Sequence, residues 1–107
     1  MVSVGRVLEL LAEQRRRYAL YCLEDRDDPL SVAELAAAVA RMEQTDGEIS
    51  ADRRNRIELS LKHTHLPMVE QTSFVEYDST ASTVRLTDKP PAFEELLTVA
   101  ETLEEPA

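Results

Sequence analysis

Basic side chains crowd the stretch between residues 53 and 63, and their chemistry suits contact with phosphates and base edges. They are Arg53, Arg54, Arg56 and Lys62, with Glu58 as the acid among them. A planar guanidinium donates paired hydrogen bonds to guanine or to phosphate, which makes arginine effective at such contacts. The stretch therefore predicts a nucleic-acid-binding surface. A charged helix face that is merely solvated is the plainer alternative.

A second basic run consists of the consecutive residues Arg15, Arg16 and Arg17. It could contact phosphates that flank a binding site, which would position the protein without discriminating between base sequences. It could instead form ion pairs along the helix surface. The acids available for such pairs are Glu9, Glu13 and Glu24. The sequence leaves both interpretations open.

The overall charge balance points in another direction. Acidic residues number 21 against 12 basic ones, giving a net charge of −9, and all the basic residues except Lys62 and Lys89 are arginine. An acidic, lysine-poor chain with 5% aromatic residues resembles proteins that stay soluble in molar salt. The net charge argues against nucleic-acid binding, because phosphate contacts normally need a basic surface. The concentration of basic charge at residues 53–63 argues for it.

Other functional classes find little support in the sequence. His63 and His65 are two residues apart, so on a helix their rings would point about 200° apart and could not readily share a metal. Cys22 lies among apolar residues and is expected to be a core thiol. No Gly-rich phosphate loop or nucleophile motif is present. We therefore expect no enzyme activity, no metal and no cofactor.

Apolar periodicity predicts the helices that must position the basic cluster. Helices are expected over residues 4–11 and 14–24, and a third begins at Ser31, with Glu34 completing a capping box. Ser50 caps a longer helix over about residues 51–71. Steps of 100° put Ile57, Leu61, His65, Met68 and Val69 on its buried side. They put Arg53, Arg56, Ser60, His63 and Pro67 on its exposed side. Either Pro67 causes a mild kink, or the helix ends near Thr64 and a short one follows.

Two short strands around a polar turn follow the long helix. Residues 74–78 and 83–87 alternate in polarity and are rich in β-forming residues, although the turn lacks Asn-Gly. A helix followed directly by such a hairpin is typical of a winged helix-turn-helix. We therefore predict a mainly α fold with a small β-hairpin over residues 1–88, the wing being residues 74–87. Residues 89–107 are predicted to be a linker and a C-terminal helix.

The C-terminal helix carries an apolar stripe that could serve either of two purposes. It comprises Phe93, Leu96, Leu97, Ala100 and Leu103. The stripe could cover the core of its own chain, or it could pair with a second copy, as in a dimer on a twofold operator. We favour the homodimer. No apolar run approaches the length of a membrane span, and the sequence shows no targeting signal, so a soluble cytoplasmic protein is expected.

Three segments resemble an uncharacterised family of haloarchaeal winged-helix domains. They are residues 15–23 (RRRYALYCL), the SVAELAAAVA segment and residues 63–87 (HTHLPMVEQTSFVEYDSTASTVRLT). That family is similar to ArsR-type winged-helix repressors, in which His-Leu-x-x-Leu also leads into the wing. The resemblance implies a dimeric DNA-binding regulator from an archaeon that accumulates salt. The paired cysteines of ArsR-type metal sensors are absent, so metal sensing is not implied.

Together these observations predict a transcription regulator that binds double-stranded DNA. The major groove would be contacted by the long helix, the flanking backbone or minor groove by Arg85 on the wing, and flanking phosphates by the run at residues 15–17. The expected contacts on the long helix are Arg53, Arg54, Arg56, Ser60, Lys62 and His63. The competing hypothesis is a winged-helix module that binds a partner protein.

Overall fold

The fold combines six helical segments with a small antiparallel sheet, in a winged-helix-like arrangement that confirms the predicted fold class. The computed structural model describes residues 4–26, 28–44, 46–70, 74–87 and 89–104. Its helices are α1 (Val4–Leu11), α2 (Gln14–Glu24), α3 (Val32–Glu43), α4 (Ala51–Ser60), α5 (Leu66–Glu70) and α6 (Pro91–Glu104). Its strands are β1 (Leu30–Ser31), β2 (Val75–Asp78) and β3 (Thr83–Leu86).

Serine caps begin both helices of the helix-turn-helix, as the sequence predicts. The Ser31 hydroxyl accepts a hydrogen bond from the Glu34 backbone N–H at 3.0 Å, and that of Ser50 accepts one from Arg53 N–H at 3.1 Å. Each bond satisfies a donor that a helix start leaves without an intrahelical partner. The Ser31 hydroxyl also donates to the Glu34 carboxylate at 2.9 Å, so this capping box closes through the two side chains.

The long helix, which we define as α4, the π turn Leu61–His65 and α5, is helical from residue 51 to residue 70. Within the π turn the Leu66 N–H donates to the Leu61 carbonyl, five residues back. Pro67 follows at once, and a proline can neither donate to the preceding turn nor fit closely against it. The widened turn accommodates Pro67, so the helix continues past it and the alternative of an end near Thr64 does not occur. Residue 71 and the Val69 side chain lie outside the described part.

The wing belongs to a three-stranded sheet of order β1-β3-β2. β2 and β3 form the predicted hairpin, and Asp78 closes its turn by accepting hydrogen bonds from the backbone N–H groups of Thr80 and Ala81. Ser82, at the end of the turn, adopts a positive φ of 54°. The hydrogen bonds to Asp78 stabilise this turn, which lacks the Asn-Gly pair of the tightest hairpins. β1, whose Leu30 pairs with Val84, was not predicted from the sequence. This pairing fixes the wing to the start of α3.

The core lies where α2, α3, the long helix and the sheet meet, and α6 contributes to it. Phe93 and Leu97 of α6 are buried, and the Phe93 ring packs on that of Phe74 with centroids 4.3 Å apart. Of the remaining residues in the predicted C-terminal stripe, Leu96 and Leu103 are exposed and Ala100 is partly buried. None of the described helices combines the length and the apolar composition needed to cross a membrane.

Candidate nucleic-acid interface

The long helix is oriented by its apolar side, which packs against the rest of the fold. Ile57, Leu61, His65 and Leu66 are all buried. The first three follow the predicted periodicity. Leu66 departs from it because the π turn accommodates extra residues and rotates the side chains that follow. With this side held against the core, the opposite side of α4 faces solvent.

Arg53 is held by an acid at the end of α3 rather than projecting outward. Its Nη2 donates to Glu43 Oε1 at 3.2 Å. The same carboxylate accepts two hydrogen bonds from Arg15 of α2, at 2.7 and 2.8 Å. Glu43 thus joins three helices, and its bond to Arg15 is the chief cause of a raised Arg15 pKa. The Arg53 Nε atom is buried without a partner among the described residues.

Two arginines of α4 have no such restraint. Arg54 and Arg56 are exposed, and neither guanidinium has a hydrogen-bond or ion-pair partner within the described residues. Asn55 and Leu59 lie on the same side of the helix as Arg56, and His63 lies one turn further on, also exposed. We call the surface formed by Asp52, Asn55, Arg56 and Leu59 the solvent face of α4. Arg54 is exposed in the first turn and points about 200° away from Arg56.

Two other predicted contact residues on the long helix are less available. Lys62 is half-buried and forms an ion pair with Glu58 at 3.2 Å, four residues before it on the same helix. Such pairs on a helix surface are weak and could be exchanged for a phosphate contact. Ser60 is also half-buried, on the flank of the exposed side.

Arg16 is buried, with an exposed fraction of 5%, and its donors are used inside the molecule. Nε and Nη2 donate to the carbonyls of Leu10 and Glu9, at 2.8 and 2.9 Å, where α1 ends. Nη1 lies 3.3 Å from Nδ1 of His65 in the π turn. Because arginine can only donate, His65 must accept through Nδ1, which requires a neutral ring. Burial first, and then the Arg16 charge, lower the His65 pKa.

Arg17 attaches the far end of α6 to α2. Its Nε and Nη2 donate to the two carboxylate oxygens of Glu104 at 3.0 and 2.8 Å. Gln14 and the Tyr21 hydroxyl donate to the same carboxylate. Led by the Arg17 bond, these donors lower the pKa of Glu104 to about 2.

The expectation that residues 15–17 contact flanking phosphates therefore needs correction. Arg16 is buried, and Arg15 and Arg17 each make a two-pronged ion pair with an acid of another helix. The open alternative, intramolecular pairing, is what occurs. The partners are Glu43 and Glu104 and not the acids nearby in the sequence. Folding brings the ends of α3 and α6, which carry these two acids, next to α2.

Arg85 lies on β3 in the wing, opposite Glu76 on β2. The two side chains form a partly exposed ion pair at 3.6 Å. Asp78 lies on the same hairpin, so the two strands carry two acids and a single arginine. Their charge does not favour phosphate as the two unpartnered arginines of α4 do.

Within the described chain, four arginine side chains have no hydrogen-bond or ion-pair partner. Arg54 and Arg56 lie on α4, whereas Arg26 and Arg41 border a groove of about 470 Å³ between α2 and α3. That groove also contains Asp25 and Glu34, so acids offset its bases. α4 carries three arginines against two acids, Asp52 and Glu58, and Glu58 is paired with Lys62.

The two histidines point in different directions, as predicted. His63 is exposed and His65 is buried. Cys22, predicted to lie in the core, is half-buried, and its Sγ lies 3.5 Å from Met42 Sδ. Burial raises the Cys22 pKa, which favours the protonated thiol.

Sequence reasoning missed Asn55 and Leu59 as members of the exposed side. The signal was available, because both are about one turn from Arg56 or Asp52. Arg53, by contrast, could not have been excluded as a DNA contact from the sequence alone, since its partner Glu43 lies on a different helix.

The architecture defines a winged-helix-like protein, with a helix-turn-helix, a small sheet and a C-terminal helix. Residues 8–85 match the family model of a domain of unknown function, DUF7344, and the chain belongs to that family. The match covers α2 through β2 completely, half of α1 and most of β3; α6 lies beyond it. No curated protein and no solved structure matches the chain.

Proposed function

We propose that this protein is a transcription regulator that binds double-stranded DNA through the first turn and the solvent face of α4. The observation that carries the proposal is the pair Arg54 and Arg56. They are exposed near the start of the second helix of a helix-turn-helix, without partners among the described residues. In such folds the beginning of this helix approaches base edges in the major groove.

The folded structure changes which residues would make the contacts. Arg54 and Arg56 would contact guanine or phosphate directly, and His63 would contact the backbone a turn further on. Arg53 would position the helix through Glu43. Lys62, Ser60 and Arg85 remain auxiliary contacts, since Lys62 and Arg85 would first have to leave their acid partners and Ser60 is half-buried.

The net charge of −9 is compatible with this proposal if the protein works in concentrated salt. We propose a halophilic archaeon as its source, on the basis of the acidic, lysine-poor composition. High salt screens the repulsion between the acidic surface and DNA over distances longer than a few ångströms. Short-range contacts from the solvent face of α4 would then determine binding.

A homodimer would place two copies of this face on one DNA duplex. Leu96, Val99 and Leu103 are exposed on one side of α6 and spaced three and four residues apart, as in helices that pair side by side. We propose that α6 pairs with its counterpart in a second chain. The same exposed side supports the second candidate function, a module that binds a partner protein instead of DNA.

The experiment compares two double variants that each remove two arginines without partners. Arg54→Ala with Arg56→Ala should weaken binding to genomic DNA fragments at least tenfold in molar KCl, and should reduce the slope of log affinity against log salt. Arg26→Ala with Arg41→Ala, which removes the same charge from the groove between α2 and α3, should bind as the wild type does. Equal DNA binding by wild type and the first variant would refute the proposal. In that case the partner-protein function becomes the better explanation.

A further inference from the structure

Leu59 is an apolar residue in the middle of an otherwise polar surface. Its exposed fraction is 57%, whereas Ile57, two residues earlier, is 2% exposed. Two residues on an α-helix differ by about 200° in direction, so Leu59 points away from the core that Ile57 enters. Its exposure is therefore set by the rotation of α4 and not by fraying at a helix end.

Leu59 stands apart from the other large apolar residues that the described chain exposes. Those others all lie on the first and last helices, α1 and α6. They are Val4, Leu8, Leu96, Val99 and Leu103. Pairing of α6 with a second copy would explain the exposed apolar residues on α6 without involving α4. A single exposed leucine is common in proteins, so its neighbours must indicate whether it has a partner.

The neighbours of Leu59 are side chains suited to base edges. Asn55 and Arg56 lie four and three residues before it, and neither has a partner among the described residues. Asn pairs with adenine and Arg with guanine through two hydrogen bonds in the major groove. The single apolar group that base edges display there is the C5-methyl group of thymine. A leucine between such side chains is placed to contact it.

We propose that Leu59 determines sequence specificity by contacting the C5-methyl group of a thymine adjacent to the bases contacted by Asn55 and Arg56. The inference rests on the proposed function, since it requires the solvent face of α4 to enter the major groove. A protein partner suits Leu59 less well. Protein interfaces exclude charge from their centres, whereas Asp52, Asn55 and Arg56 surround this leucine.

The test removes one methyl group at a time from DNA. Duplexes are first selected from a random pool by the wild-type protein in molar KCl. Each thymine of the selected site is then replaced singly by uracil, which pairs identically but lacks the methyl group. At one position the replacement should weaken wild-type binding about fourfold, the effect of one buried methyl-sized group. Leu59→Ala should bind the thymine and uracil duplexes equally.

Leu8→Ala is the matched control, because Leu8 is an exposed leucine on α1, outside both the solvent face of α4 and the apolar side of α6. It should retain the full difference between thymine and uracil. If no position distinguishes the two bases in the wild type, or if Leu59→Ala still does, the inference fails while DNA binding stands. If the wild type selects no duplex at all, the proposed function and the inference fail together. Leu59→Ala leaves the core intact, and far-ultraviolet circular dichroism checks its helix content.

Discussion

Glu43 and Arg53 join the end of α3 to the start of the long helix, with Arg53 Nη2 3.2 Å from Glu43 Oε1. Arg15 approaches the same carboxylate from α2, and Glu43 is largely buried between the two cations. One acid therefore fixes the orientation of two helices relative to α3. This explains why an arginine that looks suited to DNA contact is turned inward.

Replacing Glu43 by Gln should destabilise the fold. The substitution keeps the shape but leaves two guanidinium groups without a counter-charge, and Arg53 Nε is already unpartnered. We expect a loss of about 1–3 kcal/mol in the free energy of unfolding, typical of hydrogen bonds to charged groups. Urea unfolding followed by circular dichroism measures it. Glu48→Gln, an exposed position in the loop before α4, serves as the control and should change nothing. Equal stability of the two variants would contradict the role given to Glu43.

The Glu104 carboxylate should make stability depend on pH in an acidic window. Its folded pKa of about 2 lies below the usual 4.5, so the folded state favours the ionised form. The contribution is fully present above pH 4.5 and is lost as pH falls from 4.5 towards 2. Glu104→Gln should lower the free energy of unfolding by about 1–2 kcal/mol at pH 7, a value reduced for its position near the surface.

The difference between Glu104→Gln and wild type should shrink to nothing at the lower end of this window. Chemical unfolding at a series of pH values measures that difference. Glu95→Gln, at an exposed position of the same helix, should show no such trend. A difference that stays constant down to pH 2 would show that the Arg17 contact does not act through ionisation.

His65 should produce a separate pH dependence nearer neutrality. Its folded pKa is below the usual 6.5 because burial and Arg16 disfavour the charged ring. The unfolded chain therefore binds a proton more readily, and stability should fall as pH drops below 6.5. Glu13 and Glu43 oppose this shift, and Arg15 adds to it.

The measurement is the free energy of unfolding between pH 7.5 and pH 5.5. His65→Gln should flatten the pH dependence, because its amide can accept the Arg16 hydrogen bond and does not titrate. His63→Gln removes an exposed histidine and should retain the wild-type curve. Parallel curves for the wild type and His65→Gln would rule out a neutral, buried His65 as the cause.

Lowering the salt concentration should destabilise the protein. With a net charge of −9, carboxylates repel one another more strongly as screening decreases. The melting temperature should rise as KCl increases from submolar to molar concentration. A triple variant that neutralises the exposed Asp46, Glu95 and Glu101 should show a smaller rise. A salt-independent melting temperature would contradict the proposed halophilic origin.

Disrupting the exposed side of α6 should separate the proposed dimer. Val99→Glu places a charge in the middle of the apolar surface formed with Leu96 and Leu103. Sedimentation equilibrium in molar KCl should show a dimer for the wild type and a monomer for this variant. Thr98→Glu, at an exposed polar position beside it, should remain dimeric. A wild-type protein that sediments as a monomer would exclude the helix-pairing model.

The sequence by itself determined the local structure. Serine caps, apolar periodicity and β-forming residues located α1, α2, α3, the long helix and the hairpin, because those signals act between residues close together in the chain. The same periodicity identified Ile57 and Leu61 as buried and His63 as exposed. The fold class followed from the order of these elements.

Tertiary structure alone decided which arginines are available. Glu43 and Glu104 capture Arg53, Arg15 and Arg17 across distances that periodicity cannot measure, and burial captures Arg16. The pairing of β1 with β3 and the π turn before Pro67 also depend on distant packing or backbone geometry. Arg54 and Arg56 have no hydrogen-bond or ion-pair partner among the described residues. The difference between partnered and unpartnered arginines, which the sequence does not show, identifies the candidate DNA contact.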